Sequence, residues 1–252
     1  MPAAPRTGEQ RWIARDLSLL VLTWTAGYVD ALSFLGLGHV FTAMMTGNTV
    51  LFGISLGQGD GPAALRSFIA LVGFALGAVV GAAIVDSDRS TARWPAAVTH
   101  ALVLEALMFV VFIAIWHVSE TPRNAAVVAV LIAVLSLAMG IQSAAALRLG
   151  VPGIATTYIT GTLTTMMITL TGSLRALARR TTRSRADDES PAATWEHRVG
   201  LLSLVVVVYA FGALVGGLLE SRRSALLTVV PLVAIVLVAT HAYLRARRPS
   251  VE

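Results

Sequence analysis

The sequence predicts an all-α integral membrane protein: a helical bundle of about six spanning helices plus two broken or re-entrant Thr-Gly segments, built as an internal duplication. Three observations carry that reading. Apolar residues fill 56% of the 252 positions and charged residues only 13%, about half the charged share of a soluble domain. The mean hydropathy is +0.76, and the apolar residues gather into runs close to the ~20 residues that a bilayer-crossing helix needs. Two of the runs repeat one interrupted motif.

In chain order, the first run covers roughly 17–36 and follows Arg6, Arg11 and Arg15. No small-residue cleavage site and soluble domain come after it, so it reads as a retained helix rather than a secretory signal. The second run, 42–58, is broken by Thr46-Gly47-Asn48. The third, 63–85, carries Gly73, Gly77 and Gly81, a small-xxx-small face that lets helix backbones approach. Trp94 and Trp116 bracket the fourth, 96–118, as interface-anchoring indoles do. The fifth, 124–148, holds Gly140 and Gln142, and the sixth, 154–177, holds Thr156, Thr157, Thr160, Gly161, Thr162, Thr164, Thr165 and Thr169. Threonine within a membrane helix ordinarily satisfies its own i−4 carbonyl. A charged loop at 179–197 leads to the seventh run, 198–220, with Gly212 and Gly216, and the eighth, 225–245, ends at Arg245, Arg247 and Arg248. Stretches such as Leu201–Val208 do not alternate as barrel strands would.

The second and sixth runs align at one constant offset: Leu35-Gly36 with Leu149-Gly150, Thr42 with Thr156, and Thr46-Gly47 with Thr160-Gly161. Gly27 and Gly140 match just upstream, and Gly73, Gly77 and Gly81 find an echo in Gly212 and Gly216. The expected organisation is therefore a tail at 1–16, a first membrane repeat at 17–118, a second at 119–245 and a tail at 246–252. Three spanning helices per half would make the repeats inverted, and four would make them parallel. Both leave the two tails and the 179–197 loop in the cytoplasm under the positive-inside rule, in a bacterial inner membrane.

Several function classes are excluded. No cysteine is present, which removes disulfides, thiolate sites and cysteine nucleophiles. His39, His100, His117, His197 and His241 include no pair at i,i+3 or i,i+4 spacing, so no helical two-histidine metal site is expected. No P-loop, GxSxG, HExxH or strand-linked GxGxxG motif occurs, and neither an enzyme nor a cofactor protein is expected. The net charge of +5 comes from arginines that flank apolar runs, not from a nucleic-acid face. The lipid bilayer is the expected partner, and the small-residue faces would also suit a homodimer.

Paired interrupted segments in corresponding halves point to a binding site at the repeat interface of a secondary transporter. The expected function is a small permease for a small polar solute or ion, with Thr46, Gly47, Asn48, Thr160, Gly161, Thr162 and Gln142 as the cavity residues. The alternative is a non-transporting sensor or assembly partner. Asp30 and Glu105 are carboxyls at bilayer depth, where charge is expensive and must face inward; with His100 they form the candidate ion- or proton-coupling set. Asp30 could equally cap the backbone of the broken segment. His100 lies five residues before Glu105, about 140° around the helix, so these two do not form a ready pair.

Ala26-Gly27-Tyr28-Val29-Asp30-Ala31-Leu32-Ser33-Phe34, then Phe41-Thr42-Ala43-Met44-Met45-Thr46-Gly47-Asn48, and later Met139-Gly140-Ile141-Gln142-Ser143 with Thr160-Gly161-Thr162, together resemble the YoaK family of bacterial multi-pass membrane proteins (domain of unknown function 1275). The resemblance runs from about residue 15 to 245. It implies a multi-pass bacterial inner-membrane protein and brings no catalytic residue, substrate or cofactor with it.

Overall fold

The structure, a computed structural model, describes residues 7–88, 94–149, 159–180, 192–222 and 226–246. Among them are eight helices: α1 (Thr7–Gly36), α2 (Met45–Gln58), α3 (Gly61–Asp86), α4 (Ala96–Val118), α5 (Ala125–Arg148), α6 (Ile159–Arg180), α7 (Ala192–Ser221) and α8 (Val229–Ala246). Asp60 accepts from Ala63 N to cap α3, and Asn124 accepts from Val127 N to cap α5, each satisfying a donor that the first turn leaves free. Five helices, α1, α3, α4, α5 and α7, contain apolar stretches long enough to cross a membrane, whereas the apolar stretch of α8, Val229–Leu244, is shorter. The protein is all-α and membrane-embedded.

Helix directions follow from contacts. Gly212 and Gly216 on α7 lie against Trp24 and Tyr28 on α1, and Gly77 and Gly81 on α3 lie against Leu137 and Ile141 on α5, so both pairs run parallel. Arg66 Nε, near the start of α3, donates to Gly38 O just beyond the end of α1 at 3.1 Å. His117 at the end of α4 is 3.1 Å from Thr228 at the start of α8. The short connection from α4 to α5 folds Arg123 over Trp116, 3.8 Å from the ring centroid. Hence α1, α4 and α7 run one way and α3, α5 and α8 the other. The starts of α1 and α7 and the end of α8 share one side of the bundle.

The core is where these helices converge, with Leu19, Leu22, Tyr28, Phe109, Phe112 and Leu135 fully buried. The periphery is apolar as well: α3 presents Leu65, Phe68, Leu76 and Val79 outward, and α7 presents Val207, Phe211 and Leu214. Such a surface is a liability in water and the natural one in lipid. α2 is packed on α3 through a tight turn at Gly59 (φ 73°), and their rings Phe52 and Phe68 lie 6.0 Å apart.

Several boundaries differ from the sequence reading: α1 begins at Thr7, inside the expected tail 1–16, and α8 at Val229 rather than near 225. Residues 42–44 are not helical, because their N–H groups are taken by Asp30 from α1 instead of entering a helical ladder. The charged loop expected at 179–197 is partly helical, since α7 already begins at Ala192. The sixth-run positions 154–158 lie outside the described residues.

A Cβ on Gly212 would overlap the Trp24 carbonyl and one on Gly77 the Leu137 carbonyl, whereas Gly53 has nothing within 4 Å. Backbone cannot yield as a side chain can. Gly212→Leu and Gly77→Leu are each expected to destabilise by about 3 kcal/mol or more, and Gly53→Leu to be near neutral, read as thermal unfolding midpoints of the purified protein. Equal midpoints for all three would show that the crossings are not as close as described.

Candidate functional site

The broken segment between α1 and α2 is built on Asp30. Its Oδ1 accepts from Thr42 N at 3.0 Å, Ala43 N at 2.8 Å and Met44 N at 3.3 Å, and its Oδ2 accepts from the Tyr209 hydroxyl on α7 at 2.6 Å. One carboxyl thus ties α1, the irregular segment and α7 together. It is 3% exposed. Met44, the residue preceding α2, offers no side-chain cap, so Asp30 does from a distance what a capping residue does locally. These contacts are those of the capping alternative. They also mean that the half-helix N-terminus, a natural anion site, already holds the protein's own carboxyl.

Geometry makes the segment re-entrant. Asp30 lies six residues before the end of α1, about 9 Å into the bundle, and α2 starts beside it. α2 then ends in the turn to α3, whose Arg66 reaches the chain just beyond the end of α1. The 14 residues of α2 span only about 21 Å, so α2 returns toward the side on which α1 finished and does not cross.

Asn48 completes the loop. Its Oδ1 accepts from Phe41 N at 2.9 Å and its Nδ2 donates to Phe41 O at 2.5 Å, pairing with one residue's backbone as a neighbouring strand would. Gly47 permits this closeness: a Cβ there would come within 2.9 Å of both the Phe41 ring and the Met44 methyl. Phe41 in turn stacks on Phe34 at 5.0 Å. Thr46 is exposed on α2. Backbone away from water must find partners, and here the side chains of Asp30 and Asn48 supply them.

The other predicted residues are placed differently. Thr160 and Gly161 are exposed on α6 while Thr162 is buried. Thr164 donates to Thr160 O, Thr165 to Gly161 O and Thr169 to Thr165 O, the i−4 bonding expected of membrane threonines. Gln142 is fully buried, and its Nε2 donates to Leu22 O at 3.1 Å. Glu105 is also fully buried, and neither of its oxygens has a hydrogen-bond partner. His100 is exposed and does not share Glu105's environment. Among the described residues no group of three or more His, Cys, Asp or Glu side chains could hold a metal.

Sequence reasoning did not find Tyr209 or Tyr28. Tyr28 donates to Leu227 O at 2.7 Å, and Tyr209 meets Asp30 across 179 positions of sequence. A tyrosine in an apolar run reads as core, and its polar tip carries no periodic signal. An apolar groove of about 290 Å³ also lies between α3, α4 and α5, lined by Phe68, Val72, Leu76, Met108 and Leu137. It has no polar side chain to orient a solute.

Asp30→Ala would strand three backbone N–H groups and a phenol. At about 1–3 kcal/mol for each buried unsatisfied group, it is expected to cost at least ~3 kcal/mol. Asp30→Asn keeps one acceptor and is expected to cost less, and Tyr209→Phe about 1 kcal/mol. Thermal unfolding of the purified variants gives the order, and a wild-type midpoint for Asp30→Ala would dismiss the staple.

With this geometry in place, comparison with known proteins gives one consistent answer. The chain is 36% identical over 221 residues, 88% of its own length and 91% of the other's, to "UPF0700 transmembrane protein YoaK" of Bacillus subtilis (strain 168). No solved structure matches it. The family described as "Protein of unknown function (DUF1275)" matches residues 18–241, which include the Asp30 staple, the re-entrant helix and both glycine crossings, and the chain belongs to this family of multi-pass membrane proteins.

Proposed function

We propose that the protein is a small secondary transporter or permease for a small polar solute or ion, built as two inverted repeats in a bacterial inner membrane. The observation that carries the reading is a re-entrant helix start held part-way into the bundle, between helix crossings that recur in the two halves with opposite direction. Gly27 lies on Tyr209, three residues before Gly212, as Gly140 lies on Phe74, three residues before Gly77. Gly216 lies on Tyr28 and Ala31, as Gly81 lies on Ile141 and Ala144. Exchanging α1 with α5, α3 with α7 and α4 with α8 therefore carries one crossing onto the other, and each exchanged pair is antiparallel. Inverted repeats with discontinuous helices characteristically bind solute near the midplane at the repeat interface.

In this reading the solute lies between the two Thr-Gly segments, near Thr46, Gly47, Asn48, Thr160, Gly161, Thr162 and Gln142. In this reading both chain ends are cytoplasmic: Arg11 and Arg15 in the first turns of α1, Arg198 near the start of α7 and Arg245 near the end of α8 belong to helix ends that share one side, as the positive-inside rule requires.

A second reading, an assembly partner without transport, has one observation in its favour. Gly53 and Gly57 leave open space along α2, and small residues four apart on one helix suit another helix.

The cysteine-free chain allows single cysteines at Gly59, Ser87, Thr46 and Thr160, labelled by an impermeant thiol reagent from each face of oriented vesicles. Gly59 is expected to react only from the periplasmic face, Ser87 only from the cytoplasmic face, and Thr46 or Thr160 from water. Reversal of the first two would remove the inverted arrangement. Silence of Thr46 and Thr160 from both faces would remove the solute path and leave the assembly reading.

A further inference from the structure

The bundle interior holds polar capacity that the re-entrant staple does not use. Glu105 projects from the buried stripe of α4 that also carries Ala101, Leu102, Phe109 and Phe112. Both of its oxygens and Gln142 Oε1 are buried without a partner. The two residues lie at similar depth. The Trp116 ring tip on α4 touches Gly36 on the parallel helix α1, and counting back from there at about 1.5 Å per residue sets Glu105 level with Thr25. Gln142 is tied to Leu22 O, three residues further along, a separation of roughly one helical turn.

Chemistry follows from the donor inventory. Gln142 has committed one of its two amide N–H groups to Leu22 O, while both Glu105 oxygens and Gln142 Oε1 are acceptors that no donor meets. Nearby hydroxyls do not help: Thr23 donates to Leu19 O and Thr25 to Val21 O. The Ser136 hydroxyl is also buried without a partner, but Ser136 faces α3, its Cβ within 3.2 Å of a Cβ position on Gly73. Three oxygens are too few for a hard metal cation, which takes about six or more. A single proton on Glu105 converts one acceptor into a donor and matches it to Gln142 Oε1.

We propose that Glu105 and Gln142 form an intramembrane proton site, in which Glu105 carries an exchangeable proton donated to Gln142 Oε1. This deepens the permease reading and rests on it, naming the proton as the coupling ion. When the bundle opens, the Glu105 O–H bond breaks and the proton passes to water, leaving a carboxylate that water on the other side reprotonates. No other titratable group is bonded to Glu105. On α4 itself His100 is exposed and His117 pairs with Thr228. On α3, Arg66 is held at Gly38 O and Asp86 is exposed at the far end. Arg148 on α5 donates to Asp88 O, and on α8 His241 and Tyr243 are exposed. On α1, Asp30 holds its four donors and Tyr28 donates to Leu227 O.

The test is infrared spectroscopy of the full-length protein in lipid vesicles at neutral pH, before and after transfer to D2O, and it needs no solute. The expected result is a protonated-carboxyl C=O band that shifts as deuterium enters, disappears in Glu105→Gln, persists in Asp30→Asn and moves in frequency in Gln142→Leu. Absence of the band, or its survival in Glu105→Gln, overturns the proposal. So does a band that never exchanges, which would mark a sealed structural acid, or one indifferent to Gln142→Leu. Because the bands are read without transport, a negative here leaves the permease reading to the cysteine labelling, and a failed labelling leaves this site to the infrared.

Discussion

Irregular backbone inside a bilayer has to be satisfied by the protein itself, and the Asp30 carboxyl meets that constraint for the segment on which the rest of the architecture depends. Three successive N–H groups at Thr42, Ala43 and Met44 converge on one oxygen. Without that acceptor α2 could not begin part-way into the bundle, because its donors would face hydrocarbon. The second oxygen receives Tyr209 from α7, so the same group also fixes the broken segment against the helix that crosses α1 through Gly27, Gly212 and Gly216.

The glycine crossings and the staple support each other. Close approach of α1 and α7 brings the Tyr209 ring within reach of Asp30, and the parallel direction of the two helices places that ring below the irregular loop rather than beyond it. On α3 and α5 the corresponding contact pairs Phe74 with Gly140, so a phenol-bearing ring in one crossing stands where a plain ring stands in the other. Similar glycine crossings thus carry unequal chemistry. All seven of Gly27, Gly73, Gly77, Gly81, Gly140, Gly212 and Gly216 meet neighbours within the chain, which assigns these faces to the monomer, whereas Gly53 and Gly57 on α2, Gly161 on α6 and Gly200 on α7 face open space.

Polar groups in the interior divide into two kinds. Asp30 and Asn48 are satisfied by backbone, and removing either would cost structure. Glu105 and Gln142 retain acceptors that nothing meets. In a low-dielectric interior an unmet polar group is expensive, so the second kind marks where structure alone does not explain the residue. A transport reading places stapling and proton handling on different carboxyls, although composition and depth make Asp30 and Glu105 look alike.

Much of the helical order was legible in the sequence, because in lipid the length and hydropathy of a run nearly dictate its conformation. The expected runs at 63–85, 96–118 and 124–148 match α3, α4 and α5 within two residues. That the second run is unlike the others was legible too, as was the choice of two roles for Asp30, but the position of the break was not: Thr46, Gly47 and Asn48 lie inside α2, and the non-helical stretch precedes it. What the sequence left open was direction and partnership. Whether α2 crosses or returns depends on where its N–H groups end, and that was decided by a carboxyl 12 to 14 positions away. The Tyr209 bond and the reach of Gln142 to Leu22 are likewise set by helix packing, since hydrogen bonds between distant helices leave no periodic trace along the chain. The sequence by itself determined that this protein lives in a bilayer as helices; only the tertiary structure decided which buried polar groups hold the fold and which remain unmet.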